Sequence, residues 1–170
     1  IQPTNVIVES ATRLRLIDYD GLFVPQLAGL QSMELGQRNF QHSGRRGRHF
    51  DASLDAFSFS LLDLTLHALS RRPELWEQSD SDADAFILRA ADIADPADSP
   101  AFSLLASVPE LEQRVRNFAA ICAAPFEQVP TFEDFLEQRE RDKQNLIAAY
   151  ERQQKEIEEA EIFIRRFRAK

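Results

Sequence analysis

Cysteine is almost missing from this sequence of 170 residues, with Cys122 the single example. A disulfide framework is excluded, and a reducing cytoplasm is the expected setting. Cys122 falls in the apolar stretch 118–124, where a buried thiol behaves as a small hydrophobe. Long apolar runs are missing too. No stretch approaches about 18 uninterrupted apolar residues, so no membrane span is expected. Methionine occurs once, as Met33, the first residue is Ile1, and no basic segment precedes an apolar run. Neither an initiator nor a signal peptide is legible, and the sequence reads as a fragment. The three histidines, His42, His49 and His67, lack the paired spacing of a zinc site, which leaves them core or surface roles. Residues 21–36 contain no glycine pattern of the phosphate-binding kind.

What is present suits one water-soluble globular domain: 44% of residues are apolar and the mean hydropathy is -0.36. The net charge of -8 is unevenly spread. Residues 1–50 carry six arginines against four acids, residues 51–130 five arginines against fourteen acids, and residues 131–170 nine basic groups against ten acids. The acidic middle repels nucleic acid and anionic membranes, so neither is an expected partner. The cluster Arg45, Arg46, Arg48 is at most a local anion site.

Short β-rich runs at 5–9 and 13–17, joined by Ser10, Ala11 and Thr12, predict a hairpin over 5–17. Residues 18–48 lack periodicity and are broken by Pro25 and five glycines, which predicts a loop of about thirty residues, a length usually functional or disordered. From 50 to 70 apolar residues occupy nearly every face, the pattern of a buried central helix. Residues 79–84 form an acidic linker, and shorter helices are expected at 85–93, 101–107 and 109–123. Thr131 opens a last helix with acids in its first turn, and no glycine or proline follows Phe132. There a four-then-three spacing links Phe132, Leu136, Arg139, Lys143, Leu146, Tyr150, Gln153, Ile157, Ala160, Ile164 and Phe167. Three of these eleven are polar, so a coiled coil that self-associates through 132–167 and a plain solvated helix remain equal alternatives.

Asn5 and Asp18, at the two ends of the hairpin, would place two oxygen ligands at one end of a ribbon, although both are ordinary turn residues. In order along residues 1–136 the chain resembles the protein-kinase family. Residues 1–5 are similar to the end of the catalytic loop, with Asn5 in the place of its metal-binding Asn. Residues 16–20 resemble the strand leading into the Asp-Phe-Gly motif, with Asp18 as its Asp, Tyr19 for Phe and Asp20 for Gly. Gly36 and Phe40 resemble parts of the end of an activation segment. Asp55 resembles the acid that braces the catalytic loop from the central helix, and residues 118–135 resemble the last helices of the lobe. Gly44 and Val129 stand where the family carries a buried Glu–Arg pair, and the loss of both together costs less than stranding one charge.

The resemblance implies a mainly α fold: a C-terminal lobe over 1–136 with a small hairpin, then a charged helix over 137–170. It implies a fragment of an ATP- and Mg²⁺-dependent Ser/Thr kinase acting on a protein substrate, with Asn5 and Asp18 holding metal and Ile7 and Ile17 flooring the adenine pocket. Asp55, Gly36 and Phe40 would be structural supports. The proton-accepting Asp would precede Ile1, leaving no catalytic residue in the chain and the fragment inactive alone. Alternatives are a pseudokinase or scaffold assembled through the last helix, and a small-molecule phosphotransferase.

Overall fold

Two β-rich runs pair as predicted. Strand β1 (Val6–Ser10) lies antiparallel to β2 (Arg13–Leu16), with Val6 opposite Leu16, Ile7 opposite Arg15 and Val8 opposite Leu14. Side chains alternate between faces. One face therefore carries Val6, Val8, Leu14 and Leu16, and the other carries Ile7 and Glu9, which forms ion pairs with Arg13 at 2.8 Å and with Arg15. The computed structural model describes residues 1–168 and separates them into two units, residues 1–132 and the chain from Glu133 onward.

The expected loop after the hairpin is irregular backbone with short 3-10 turns at Pro25–Leu27 and Arg38–Phe40. Gly36, at φ +74°, adopts the left-handed conformation that a residue with a Cβ disfavours. Helix α1 (Ala56–Arg71) starts later than the predicted 50–70. The reason is local: the Asp51 carboxylate accepts bonds from the Ser53 amide at 2.8 Å and hydroxyl at 2.6 Å, and that side-chain turn holds residues 51–53 out of the helix. α1 buries Phe57, Leu61, Leu64 and Ala68, a stripe at helical spacing. It is not buried on every side as that pattern predicted, because Leu66 is half exposed and Asp63 pairs with Arg114 at 3.0 Å.

After the short helix α2 (Leu75–Gln78), the helix expected over 85–93 is mostly absent. Asp82 accepts from the amides of Asp84 and Ala85, and Ile87 sits at φ +64°, a strained conformation for a β-branched residue. The Leu88 amide donates across it to the Phe86 carbonyl at 2.7 Å. Helical winding begins only at α3 (Ala90–Ala94), where the Asp92 carboxylate accepts the Arg89 amide. α4 (Pro100–Ala106) has proline in its first turn and the Ser99 hydroxyl accepting from the Phe102 amide at 3.1 Å. Pro109 opens a 3-10 turn that leads into α5 (Glu112–Ala123).

The core of this unit is built on α1. Phe57 meets Phe118 of α5 with ring centres 5.3 Å apart, and Phe118 stacks in turn near Phe102 of α4. Leu61, Leu88, Ile93, Leu105 and Leu111 are fully buried around them. Cys122 belongs to the same cluster, and burial pushes its thiol up to about 12.

The second unit is one helix, since α6 (Phe132–Arg168) runs 37 residues without a glycine or proline to break it. Glu133 and Asp134 fill its first turn, where acids complement the helix dipole. The whole is mainly helical, with a two-stranded hairpin and a long C-terminal helix. Among the described residues no helix is long and apolar enough to cross a membrane.

Because thiolate is the reacting form, Cys122 is expected to resist iodoacetamide at pH 8 in the native protein and to react at the rate of a free thiol in urea. Rapid native-state alkylation, read by mass spectrometry, would contradict the packing of α5.

Candidate functional site

The hairpin brings its two end residues together. The amide nitrogen of Asn5 lies 3.5 Å from the Asp18 carboxylate, and the Ile17 amide donates to the Asn5 carbonyl at 2.9 Å. Asp18 occupies the left-handed region at φ +63°, which Asp and Asn tolerate better than most side chains. The Asn5 side-chain oxygen accepts from the Gln2 amide and the Thr4 hydroxyl, both at 3.2 Å. In this arrangement the pair closes the hairpin by hydrogen bonding. A cation held between the two residues needs the Asn5 amide turned over, at the expense of those two bonds. Among the described residues no cluster of three or more His, Cys, Asp or Glu has metal-binding geometry.

Ile7 and Ile17 share the hairpin face of Glu9 and are each partly exposed. Asp55 lies immediately before α1, with its carboxylate beside the backbone nitrogen of Ile1. Gly36 and Phe40 lie in one irregular segment with different surroundings. A Cβ on Gly36 would come within 3.0 Å of the Gln41 side chain, whereas Phe40 is buried and its carbonyl accepts from the Ser58 hydroxyl of α1 at 2.6 Å.

The segment 36–50 also holds a cluster that the sequence signals only faintly. His42 and His49 flank Phe126: His49 stacks on that ring at 4.4 Å, and His42 meets both Phe126 and Phe57 edge-on. Nδ1 of His42 accepts from the Gly44 amide at 2.9 Å, and Nδ1 of His49 accepts from the Arg46 amide at 3.1 Å. With Nδ1 an acceptor, Nε2 carries the hydrogen in each ring. It faces the Ile121 carbonyl from His42 and the Glu127 carboxylate from His49, both at 3.2 Å. A Cβ on Gly44 would lie 3.1 Å from the His42 ring, which would have to give by a few tenths of an ångström, and at ordinary contact distance, 3.6 Å, from Phe126.

The arginine cluster does not act as one anion site. Arg45 is buried, donating to the Leu35 carbonyl at 3.0 Å and to the Gln41 side chain, and burial lowers its pKa. Arg46 turns to the carbonyls of Ser43 and Arg45, while Arg48 pairs with Glu127 at 3.2 Å. Each cation has its own acceptors. Asn39 is a further connector missed in sequence: it donates to the Asp84 carbonyl at 2.9 Å and accepts the Ala90 amide at 2.8 Å, pinning the segment to the start of α3. Only its place beside the aromatic Phe40 hinted at it.

The other surface with a directed chemistry is on α6. Leu146 (72% exposed), Tyr150, Ile157, Ile164 and Phe167 (72%) lie in water along one seam of the helix. These five share one spacing along the helix, while Ile147, Ile162 and Phe163 are exposed off it.

The family model that matches the chain is described as ABC transporter and covers residues 131–170, which is 40 of the 170 residues. No curated protein matches, and no solved structure does. The match overturns the protein-kinase expectation and, with it, the Ser/Thr kinase function and the kinase, transferase and protein-phosphorylation terms attached to it. The residues that carried the resemblance have local explanations: Asn5 and Asp18 bond to each other, and Gly44 makes room for His42.

Burial lowers the pKa of His42 below the ordinary 6.5, because its charged form is desolvated. The unfolded chain therefore binds more protons in that window, and stability present above 6.5 is lost as pH falls through the folded value. Urea unfolding between pH 7.5 and 5 should show this loss, at most about 1.4 kcal/mol per pH unit for one proton. His42→Gln should be less stable at pH 7.5 and have a shallower acid slope. An unchanged slope would refute the assignment.

Proposed function

We propose that this chain is part of an ABC-transporter-related protein in which α6 is a helical arm that pairs with another helix. The observation that carries this reading is the exposed seam of Leu146, Tyr150, Ile157, Ile164 and Phe167 on an unbroken helix, lying within residues 131–170, the stretch that resembles the ABC transporter family. A helix of this length reaches about 55 Å. Burying one such side chain fully contributes about 1.5–3 kcal/mol, so five of them together are of the same order as the cost of holding two helices together. Arg139, Lys143 and Gln153 interrupt the seam and concentrate its pairing strength in the later part of the helix.

A test helix with leucine at seam positions and alternating Lys and Glu beside them should bind the full chain with a Kd of about 1–100 μM by fluorescence anisotropy. Changing Leu146, Ile157 and Ile164 together to Gln should weaken binding more than about tenfold while circular dichroism keeps the helical signal. Undiminished binding by the triple variant would sink the reading.

The meeting of Asn5 and Asp18 supports a second reading, a weak Mg²⁺ site at the open end of the hairpin. Mg²⁺ is commonly held by one or two protein oxygens with water completing its shell. ATP and Mg²⁺ enter through the ABC transporter family, which uses both, and Ile7 and Ile17 on the neighbouring face are the proposed contacts for a base. Millimolar MgCl₂ should raise the Tm of the chain, and Asp18→Asn, which keeps the left-handed turn and removes the charge, should abolish the rise. An equal shift in both proteins would dismiss the site.

A further inference from the structure

We propose that the free edge of β2 takes up an extended protein segment as a third, antiparallel strand, and that this segment alternates apolar and acidic side chains. The edge is selected by the backbone groups that the hairpin leaves unused. The Ile17 amide donates to the Asn5 carbonyl, so these two residues bond across the ribbon, and by alternation Ile7 and Arg15 do the same. Val6, Val8, Leu14 and Leu16 then turn their amides and carbonyls outward. Two bonds agree with that pattern: the Val6 amide donates to the Pro3 carbonyl, and the Leu16 carbonyl accepts the Tyr19 hydroxyl at 2.6 Å.

The two edges differ. β1 is engaged at its start by the turn Pro3–Asn5 and interrupted near its end by an irregularity between Val8 and Ser10, and such features blunt an edge against further pairing. Along β2 the Leu14 amide, the Leu14 carbonyl and the Leu16 amide face away from β1, and among the described residues no group bonds to them. The ribbon also shows one wholly apolar face, Val6, Val8, Leu14 and Leu16, on which Val8 is 70% and Leu14 65% exposed. A two-stranded ribbon is marginal in water, and a third strand that extends its apolar face stabilises it.

Charge specifies the segment. The other face of β2 presents Arg13 and Arg15, and the single carboxylate of Glu9 serves both, which leaves that face net positive. An added antiparallel strand sets every second side chain beside Leu14 and Leu16, and those between them beside Arg13 and Arg15. Apolar residues suit the first set and Asp or Glu the second, because opposite charges across strands stabilise and like charges destabilise. Asp18 and Asp20 follow β2, so the acids belong beside the arginines and not beyond Leu16. A second copy on the same edge fits less well. Bonding Leu14 to Leu14 or to Leu16 of an antiparallel copy sets Arg15 against Arg13 or another Arg15, and bonding Leu16 to Leu16 needs the carbonyl that Tyr19 holds.

The test titrates the full chain with labelled, end-blocked peptides about seven residues long: alternating Val and Glu, alternating Val and Lys, and the Val–Glu peptide N-methylated at every valine, which removes the donors that would face β2. By fluorescence anisotropy the Val–Glu peptide should bind at least about tenfold tighter than either other. Hydrogen exchange read by NMR should slow at the Leu14 and Leu16 amides and stay unchanged at Val8. Arg15→Gln should cut the preference for Glu over Lys by at least about threefold, with the exchange pattern of Ile7 and Ile17 reporting that the hairpin persists. Equal binding of the N-methylated peptide overturns strand addition, and equal binding of the Val–Lys peptide overturns the acidic segment. Protection at Val8 in place of Leu14 and Leu16 overturns the choice of edge. A dimer of the chain alone that protects Leu14, seen by sedimentation and exchange, makes a second copy the occupant and overturns the proposal, as does no binding of the Val–Glu peptide up to about 1 mM.

Discussion

Burying an irregular stretch of backbone is the constraint on which the first unit depends. Residues 36–50 pack against α1 and α5 with one 3-10 turn, Arg38–Phe40, as their regular element, so many of their polar groups need partners outside a helical or strand ladder. Side chains fill that role. Ser58 reaches the Phe40 carbonyl from inside α1, His42 and His49 accept amides of their own segment, and Asn39 serves both a carbonyl and an amide near α3. Buried polar groups with partners cost little, whereas the same groups stranded would each cost about 1–3 kcal/mol. The histidines do a second job as aromatic surfaces, holding Phe126 between them. Polar satisfaction and ring packing are thus achieved by the same side chains.

Legibility in the sequence follows whether an element is local. The hairpin is local: β-branched runs and a polar turn indicate it, and β1 and β2 fall inside 5–17. The long helix is local too, because an acid-rich first turn and the absence of breakers are visible in the letters. The boundaries of α1 and α3 are missed for a common reason. Asp51 and Asp82 each bind nearby amides with their side chains, and that competition with helix formation is decided by rotamer and context rather than by apolar period. The strained Ile87 left no trace at all in the sequence, since a β-branched residue is the last expected at a positive φ.

The candidate site was legible only in its individual residues. Asn5 and Asp18 do come together, but the identity built on them was inferred from short motifs whose residues also suit ordinary turns. Gly44 shows how such a motif misleads. Its position was read as one half of a vanished ion pair, while in the structure it lies tight against the His42 ring. The seam of α6 was visible in the spacing from the start. Its meaning depended on exposure, which a sequence does not state, and on the resemblance over 131–170.

α6 has a mechanical consequence as well. Sharp bends in helices arise at proline, at glycine or where the hydrogen-bond ladder is interrupted, and this helix has neither residue along its 37 positions. With no built-in hinge, it behaves as a single lever. A twist or push applied at one point would have no glycine or proline joint to absorb it on the way along the helix.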